Sequence, residues 1–211
     1  MFKDRSGLGL NLLNGGDFAG LVRIAGFRQL LASGAPAPAD GLASSIGCPI
    51  DKLAGALGEL DRAGRIRLDK AGRVVGSAGL SVIPDRHRIV LDGRVFWTWC
   101  AYDILGIFGA SKSTGIAWSR SPATGAMIQL HFSAGKPTLA GVGLFRPSDS
   151  YAASCASVYE EWCPNSNLFE NVALAEAWAA SHGLEGRVLN LDEASQLATT
   201  EWLPLFGGGA L

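Results

Sequence analysis

The sequence predicts an α/β protein of the α+β kind, in which an N-terminal winged helix-turn-helix-like module packs on a C-terminal domain built around a mixed sheet. Three observations lead there. Residues 17–83 read as three helical segments followed by two short β-prone arms, the order of a winged helix. "DRHRIVLDGRVFW" carries an Asp-Gly pair between two β-prone arms, the usual hairpin signal. From there to residue 205, strand-like and helix-like patterns alternate. A chain of 211 residues accommodates a small domain joined to a medium one, and 48% hydrophobic against 18% charged residues supplies a sizeable core.

Taken in order, residues 1–16 are Gly-rich and expected to be flexible. "FAGLVRIAGFRQLLASGAP" has apolar residues at helical spacing and a Gly/Pro stop. A short helix, a turn at Gly47 to Pro49 and a helix from about Ile50 to Ala63 follow, then two strands turning at "DKAGR". The domain over 84–205 begins with the Asp92-Gly93 hairpin, continues into a helix over Thr98 to Phe108, and offers Thr98 as its N-cap. "GIAWSRSPATGAMIQLHF" and "PTLAGVGLFRP" read as strands, and "ALAEAWAASH", "GRVLNL" and "DEASQLATTEWL" as helix, strand and helix. Residues 206–211, "FGGGAL", form a tail.

Charge narrows the function. A net charge of −1 supplies no field to collect nucleic acid, and no basic run suggests a membrane surface. Between Pro36 and Gly64, Asp40, Asp51, Glu59 and Asp61 outnumber Lys52 and Arg62, whereas a recognition helix reading phosphates should be basic. The module is therefore expected to pack or interact rather than bind DNA. No stretch reaches the ~18 apolar residues of a membrane span, and the start lacks a signal-peptide core, so the chain is expected to be cytoplasmic. Cys48, Cys100, Cys155 and Cys163 are expected to be reduced, and no Cys/His spacing suits a structural zinc. His87, His131 and His182 have no partner pattern and read as structural or surface residues.

The segment "RVFWTWCAYDILGIFGAS" carries the chemistry. On a helix, residues three apart share a face, so the Cys100 thiol and the Asp103 carboxyl can enter one pocket. In the first turn, the helix dipole favours a Cys100 thiolate. Asp103, among Trp99, Tyr102, Ile104 and Phe108, is expected to hold a proton near neutral pH if buried. The bland alternative is a small core thiol and a solvated acid at a helix start. Trp97, Trp99, Tyr102 and Phe108 are candidate pocket walls or simply core.

The chain resembles the organomercurial (alkylmercury) lyases in "DKAGRVVGSAGLSV", "DGRVFWTWCAYDILGIFGAS", "SPATG", "EEWCPNSNLF" and "AEAWAASHGLEGRVLNLDEA", which occur in the family's order and together span roughly residues 36–198. The resemblance implies an alkylmercury-lyase-like C-terminal domain and an N-terminal region used for packing. It implies that Cys100 and Cys163 are the active-site thiols that ligate mercury and Asp103 the acid, joining them at the metal. It further implies an organomercurial substrate, protonolysis to a hydrocarbon and Hg(II), and no cofactor beyond external low-molecular-weight thiols. The role would be mercuric resistance, a detoxification, with a mercuric reductase as candidate acceptor of the metal.

Soft Hg(II) prefers thiolates, and an acid nearby can protonate the departing carbon. The chain departs from the family at Ser121, where a further cysteine is common, and in "CPNSN", with a longer stretch from Phe145 to Cys163. Cys155 is a candidate accessory thiol or a packing residue, and Cys48 a packing residue. Two other readings stay open: a winged-helix soft-metal (Hg or Cu) sensor or metal-binding protein, and an enzyme of this fold acting on a substrate without mercury.

Overall fold

The computed structural model describes residues 17–207; the flexible start expected over 1–16 and most of the tail, from 208 on, lie outside the described residues. Asp17 caps α1 (Phe18–Ser33) by accepting from the Gly20 amide. α2 (Ala39–Ile46) and α3 (Ile50–Arg62) follow. Leu53, Leu57 and Leu60, at helical spacing, turn one face of α3 into the core. The hairpin of β1 (Ile66–Leu68) and β2 (Val74–Ser77) comes next, with α1 laid over β2 and the Ser77 hydroxyl donating to the Arg23 carbonyl at 2.8 Å.

β3 (Leu80–Ser81) joins β2 to β5 (Arg94–Thr98), which pairs with β4 (His87–Leu91). The β4–β5 turn is the expected Asp92-Gly93 pair, with φ of 47° and 81° and Leu91 opposite Arg94, a two-residue loop whose twist suits the strands. α4 (Ala101–Ser111) leads to β6 (Gly115–Arg120), β7 (Met127–Ser133) and β8 (Lys136–Pro137), completing an eight-stranded sheet of order β1-β2-β3-β5-β4-β6-β7-β8. The sheet thus runs without interruption from the N-terminal hairpin into the second half.

β9 (Gly143–Pro147), α5 (Asp149–Ser154), β10 (Asn167–Phe169), α6 (Val172–Ser181), β11 (Gly186–Asn190) and α7 (Leu191–Phe206) complete the described fold. Their strands form a second sheet, β10-β9-β11.

Every strand pair in both sheets is antiparallel, which corrects the expected mixed sheet. The reason lies in the two crossovers of the larger sheet, β3 to β4 past β5 and β5 to β6 past β4, each of which leaves an antiparallel strand between its co-directional ends. β5 and β6 run in the same direction across α4, but β4 lies between them and pairs antiparallel with both, so no parallel neighbours arise.

α4 is the centre of the core. Ile104, Leu105, Ile107 and Phe108 are all buried, and Phe108 stacks on Phe132 of β7. α7 lies directly against it because Gly106 leaves room: a Cβ there would collide with the Trp202 ring. Trp202 in turn donates to the Ala78 carbonyl at 3.2 Å, tying α7 to the β2–β3 turn. None of the helices described is long and apolar enough to cross a membrane.

Candidate active site

The N-terminus of α4 is fixed from three sides. The Trp99 amide still donates to Gly79 across the sheet at 3.1 Å, so the helix starts only after it. Cys100, not Thr98, is therefore the N-cap, and Thr98 instead ends β5 with its hydroxyl donating to the Cys100 carbonyl at 3.0 Å. The Cys100 amide donates to the Asp103 carboxylate at 2.8 Å, the back-reaching arm of a capping box. The Ala101 amide donates to Ser166 at 3.0 Å, which brings in the segment that carries Cys163.

That segment is irregular. A π-helical turn over Val158–Trp162 passes into a 3-10 turn over Cys163–Asn165 containing Pro164. The Val158 amide donates to Ala63 at 3.0 Å, anchoring the turn to the end of α3. Asn165 Nδ2 donates to Glu161 at 2.8 Å and Asn167 Nδ2 to Pro164 at 2.7 Å, and Arg86 reaches the carbonyls of both Trp99 and Tyr159.

These two arrangements bring the three sequence-derived site residues together. The ligand atoms of Cys100, Asp103 and Cys163 all lie within 4.8 Å of one another, and all three residues are buried. The remaining cysteines are not in the cluster. Cys155 is half-buried with its thiol donating to Tyr151, and Cys48 is half-buried in the turn after α2. Of the aromatic candidates, Trp99 lines the cavity beside Asp103, whereas Phe108 is core, the buried Tyr102 ring packs edge-on against Trp162 and Trp202, and Trp97 is not in the cavity wall. His87 is buried with both ring nitrogens unpartnered, and burial pushes it down to about 3, so it is neutral at physiological pH. His131 and His182 are exposed.

Burial pushes the Asp103 carboxyl up to about 7, against the opposing pull of its hydrogen bonds with Cys100, and the charge of Asp85 adds to the rise. The expected effect of the dipole on Cys100 is reversed here. Burial, then the hydrogen bond with Cys163, then the negative charge of Asp103 push its thiol well up, and the Asp103 amide pulls back only weakly. In the free site the proton therefore stays on Cys100 until something replaces it. A soft metal does that, because metal binding to a thiol releases the proton.

Sequence reasoning missed two parts of the wall. Gly79, at φ 85° in the β2–β3 turn, packs so closely that a Cβ would strike the Asp103 carboxyl group. Arg23 and Arg65 line the cavity with Trp162 and Trp202. The cavity holds about 20 Å³, space for about one water. The "GSAGL" turn was the available signal for Gly79; nothing local marks Arg23, since only the tertiary packing of α1 brings it here.

Comparison with known proteins accords with this geometry. The alkylmercury lyase family model matches residues 80–203. Alkylmercury lyases of Staphylococcus epidermidis and Bacillus cereus are 30% and 31% identical to the chain, each over 80% of it and over 76% and 75% of their own lengths. That of Pseudomonas putida is 29% identical over 75% of this chain and 73% of its own. The crystal structure of the mercury-bound form of MerB2 shares the fold, with a TM-score of 0.77 over 95% of this chain and 96% of that one at 22% identity.

Proposed function

Because the chain belongs to the alkylmercury lyase family, we propose that it cleaves the carbon–mercury bond of organomercurials by protonolysis, using Cys100, Cys163 and Asp103. The observation that carries this reading is the convergence of two thiols and a carboxyl within 4.8 Å in a buried site.

The step balances without an electron donor or acceptor. The substrate arrives as an organomercury thiolate. Its thiolate leaves as a thiol, taking the proton of one cysteine as that cysteine binds mercury. The second cysteine binds mercury and gives its proton to Asp103. With two thiolates on mercury, electron density moves toward the carbon, which takes the proton from Asp103 as the carbon–mercury bond breaks. The products are a hydrocarbon and Hg(II) on Cys100 and Cys163, and the carboxylate is restored. A carboxyl raised to about 7 suits both acceptance and donation at neutral pH. No redox cofactor is required by this balance.

An organomercurial is larger than the cavity, so binding displaces side chains of the wall. Low-molecular-weight thiols then collect Hg(II), with a mercuric reductase as a downstream acceptor, in the cytoplasm. The three N-terminal helices and their hairpin act as a winged-helix-like packing module rather than a DNA or membrane contact. The acidic residues Asp51, Glu59 and Asp61 on α3 support that assignment. MerB2, which shares the fold, is seen in a mercury-bound form, and this supports the same metal here.

The test is anaerobic incubation of the protein with phenylmercuric acetate and excess thiol, following benzene by gas chromatography. Benzene in many-fold excess over protein is the expected result. Tight mercury binding without benzene contradicts the reading and leaves a metal-binding protein or an enzyme of another bond.

A further inference from the structure

Two arginines line the cavity with Asp103 and Cys163, and neither forms an ion pair with a carboxylate among the described residues. Arg23, on the buried side of α1, is 5% exposed, and its Nε has no hydrogen-bond partner. Arg65, in the turn between α3 and β1, is half-buried and lies in the same wall. Arg73, Arg86 and Arg146 each hold a carboxylate, whereas Arg23 and Arg65 hold none among the described residues.

An unpaired charge taken out of water is costly, and two of like sign beside each other are more so. Burial first, and then the neighbouring charge of Arg65, bring Arg23 down to about 9, so it remains cationic at neutral pH. The charges of Asp17 and Asp103 offset this only in part, and neither forms an ion pair with Arg23. The Asp103 carboxyl is engaged with the Cys100 amide at 2.8 Å and lies outside ion-pair reach of either arginine. A catalytic site that needs only to hold mercury and an alkyl or aryl group has no use for two such cations. A site that receives an anion does. A planar carboxylate matches the guanidinium fork and is compact enough for a confined wall.

We propose that Arg23 and Arg65 form a carboxylate subsite, so that the site favours organomercury species that carry a carboxylate, either on the organic group or on the thiolate that accompanies mercury. The proposal rests on the lyase reading above and adds the substrate class.

The experiment compares 4-(hydroxymercuri)benzoate with its methyl ester, which keeps the ring but removes the charge and withdraws electrons more strongly, so the part of the ratio that survives in the glutamine variants is the electronic baseline. Both are presented with 2-mercaptoethanol, and kcat/KM is measured from release of benzoate or its ester. In a second arm the ester is presented with mercaptoacetate in place of 2-mercaptoethanol. A preference for the charged partner on the order of tenfold is expected in at least one arm. The first arm assigns the carboxylate to the organic group and the second to the thiolate. Arg23→Gln and Arg65→Gln should each bring the preference toward unity, and Arg65→Lys should keep part of it.

Ratios near unity in both arms of the wild type, or a preference that both glutamine variants leave intact, overturn the subsite. A wild-type ratio near unity refutes the subsite without any variant, and should the buried Arg23→Gln fail to fold, Arg65→Gln at the half-buried position carries the test. Turnover of the ester without any preference refutes the subsite alone, while absence of hydrocarbon from every combination removes the lyase reading and the subsite together.

Discussion

The two halves of the site are built in opposite ways. Cys100 and Asp103 stand at a regular junction, where β5 ends, α4 begins and a capping box fixes the spacing. Cys163 stands on an irregular turn held by side-chain amides and by two long-range backbone bonds, Val158 to Ala63 and Ala101 to Ser166. The first half is set by secondary structure and the second by tertiary contact. The acid and its neighbouring thiol are thereby held rigidly, while the second thiol rides on a segment with fewer regular bonds to break when mercury is bound and released.

The largest effect expected on this contrast comes from removing the proton donor. Asp103→Asn keeps the volume and the acceptor for the Cys100 amide, and should lower benzene release by about 10²–10⁴ with folding retained. Steady-state turnover together with a circular dichroism spectrum checks it; a loss of less than tenfold counts against Asp103 as donor.

Next is Gly79→Ala. Its Cβ meets the Asp103 carboxyl group from a backbone at φ 85°, so a loss on the order of 2–4 kcal/mol is expected from urea unfolding. An unchanged midpoint would show that the rigid half yields easily, and would erase the contrast.

A comparable effect should appear in pH dependence. Asp103 rises by burial from its ordinary 3.8 to about 7, so between about pH 4 and pH 7 the folded state binds the proton that the unfolded state has lost. Stability from this group is thus fully present at low pH and is lost as pH rises through that window. Asp103→Asn lacks the term, so the stability gained by the variant relative to wild type should grow by on the order of a few kcal/mol from pH 4 to pH 8. His87, depressed to about 3, acts in the opposite direction, but in both proteins alike, and drops out of the difference. A pH-independent difference would mean that Asp103 titrates normally.

A smaller effect distinguishes the other half. Asn165→Ala removes the bond to Glu161 and should cost about 1 kcal/mol. Iodoacetamide labelling followed by peptide mass spectrometry should find Cys163 more reactive in the variant and Cys100 unaltered. Equal changes at both thiols would show that the halves are coupled more tightly than their construction suggests.

The same contrast governs how much could be read from the chain. The Asp92-Gly93 hairpin, the helix after it and the shared face of Cys100 and Asp103 follow from spacing over a few residues. The N-cap was displaced by two positions because Trp99 remains bonded in the sheet, a cross-strand fact that propensity does not contain. Cys163 has no local pattern to place it near Cys100; it entered only through resemblance to a family, because its position depends on contacts with α3 and the start of α4. The antiparallel order was hidden because the α4 crossover reads like a parallel unit until β4 is seen to lie between its strands. Arg23 was invisible for a simpler reason. It occupies one position of an apolar helix, and only the assembled wall turns it toward Asp103.

The most direct measurement of the central claim, that two thiols capture mercury and one acid releases the carbon, is a single-turnover reaction of wild type and Asp103→Asn with one equivalent of phenylmercuric acetate, read by native mass spectrometry and benzene release. The wild type should retain mercury without the phenyl group and release one equivalent of benzene, whereas the variant should retain phenylmercury and release almost none. Benzene from the variant at the wild-type rate would contradict the account, since the proton would then come from somewhere other than Asp103.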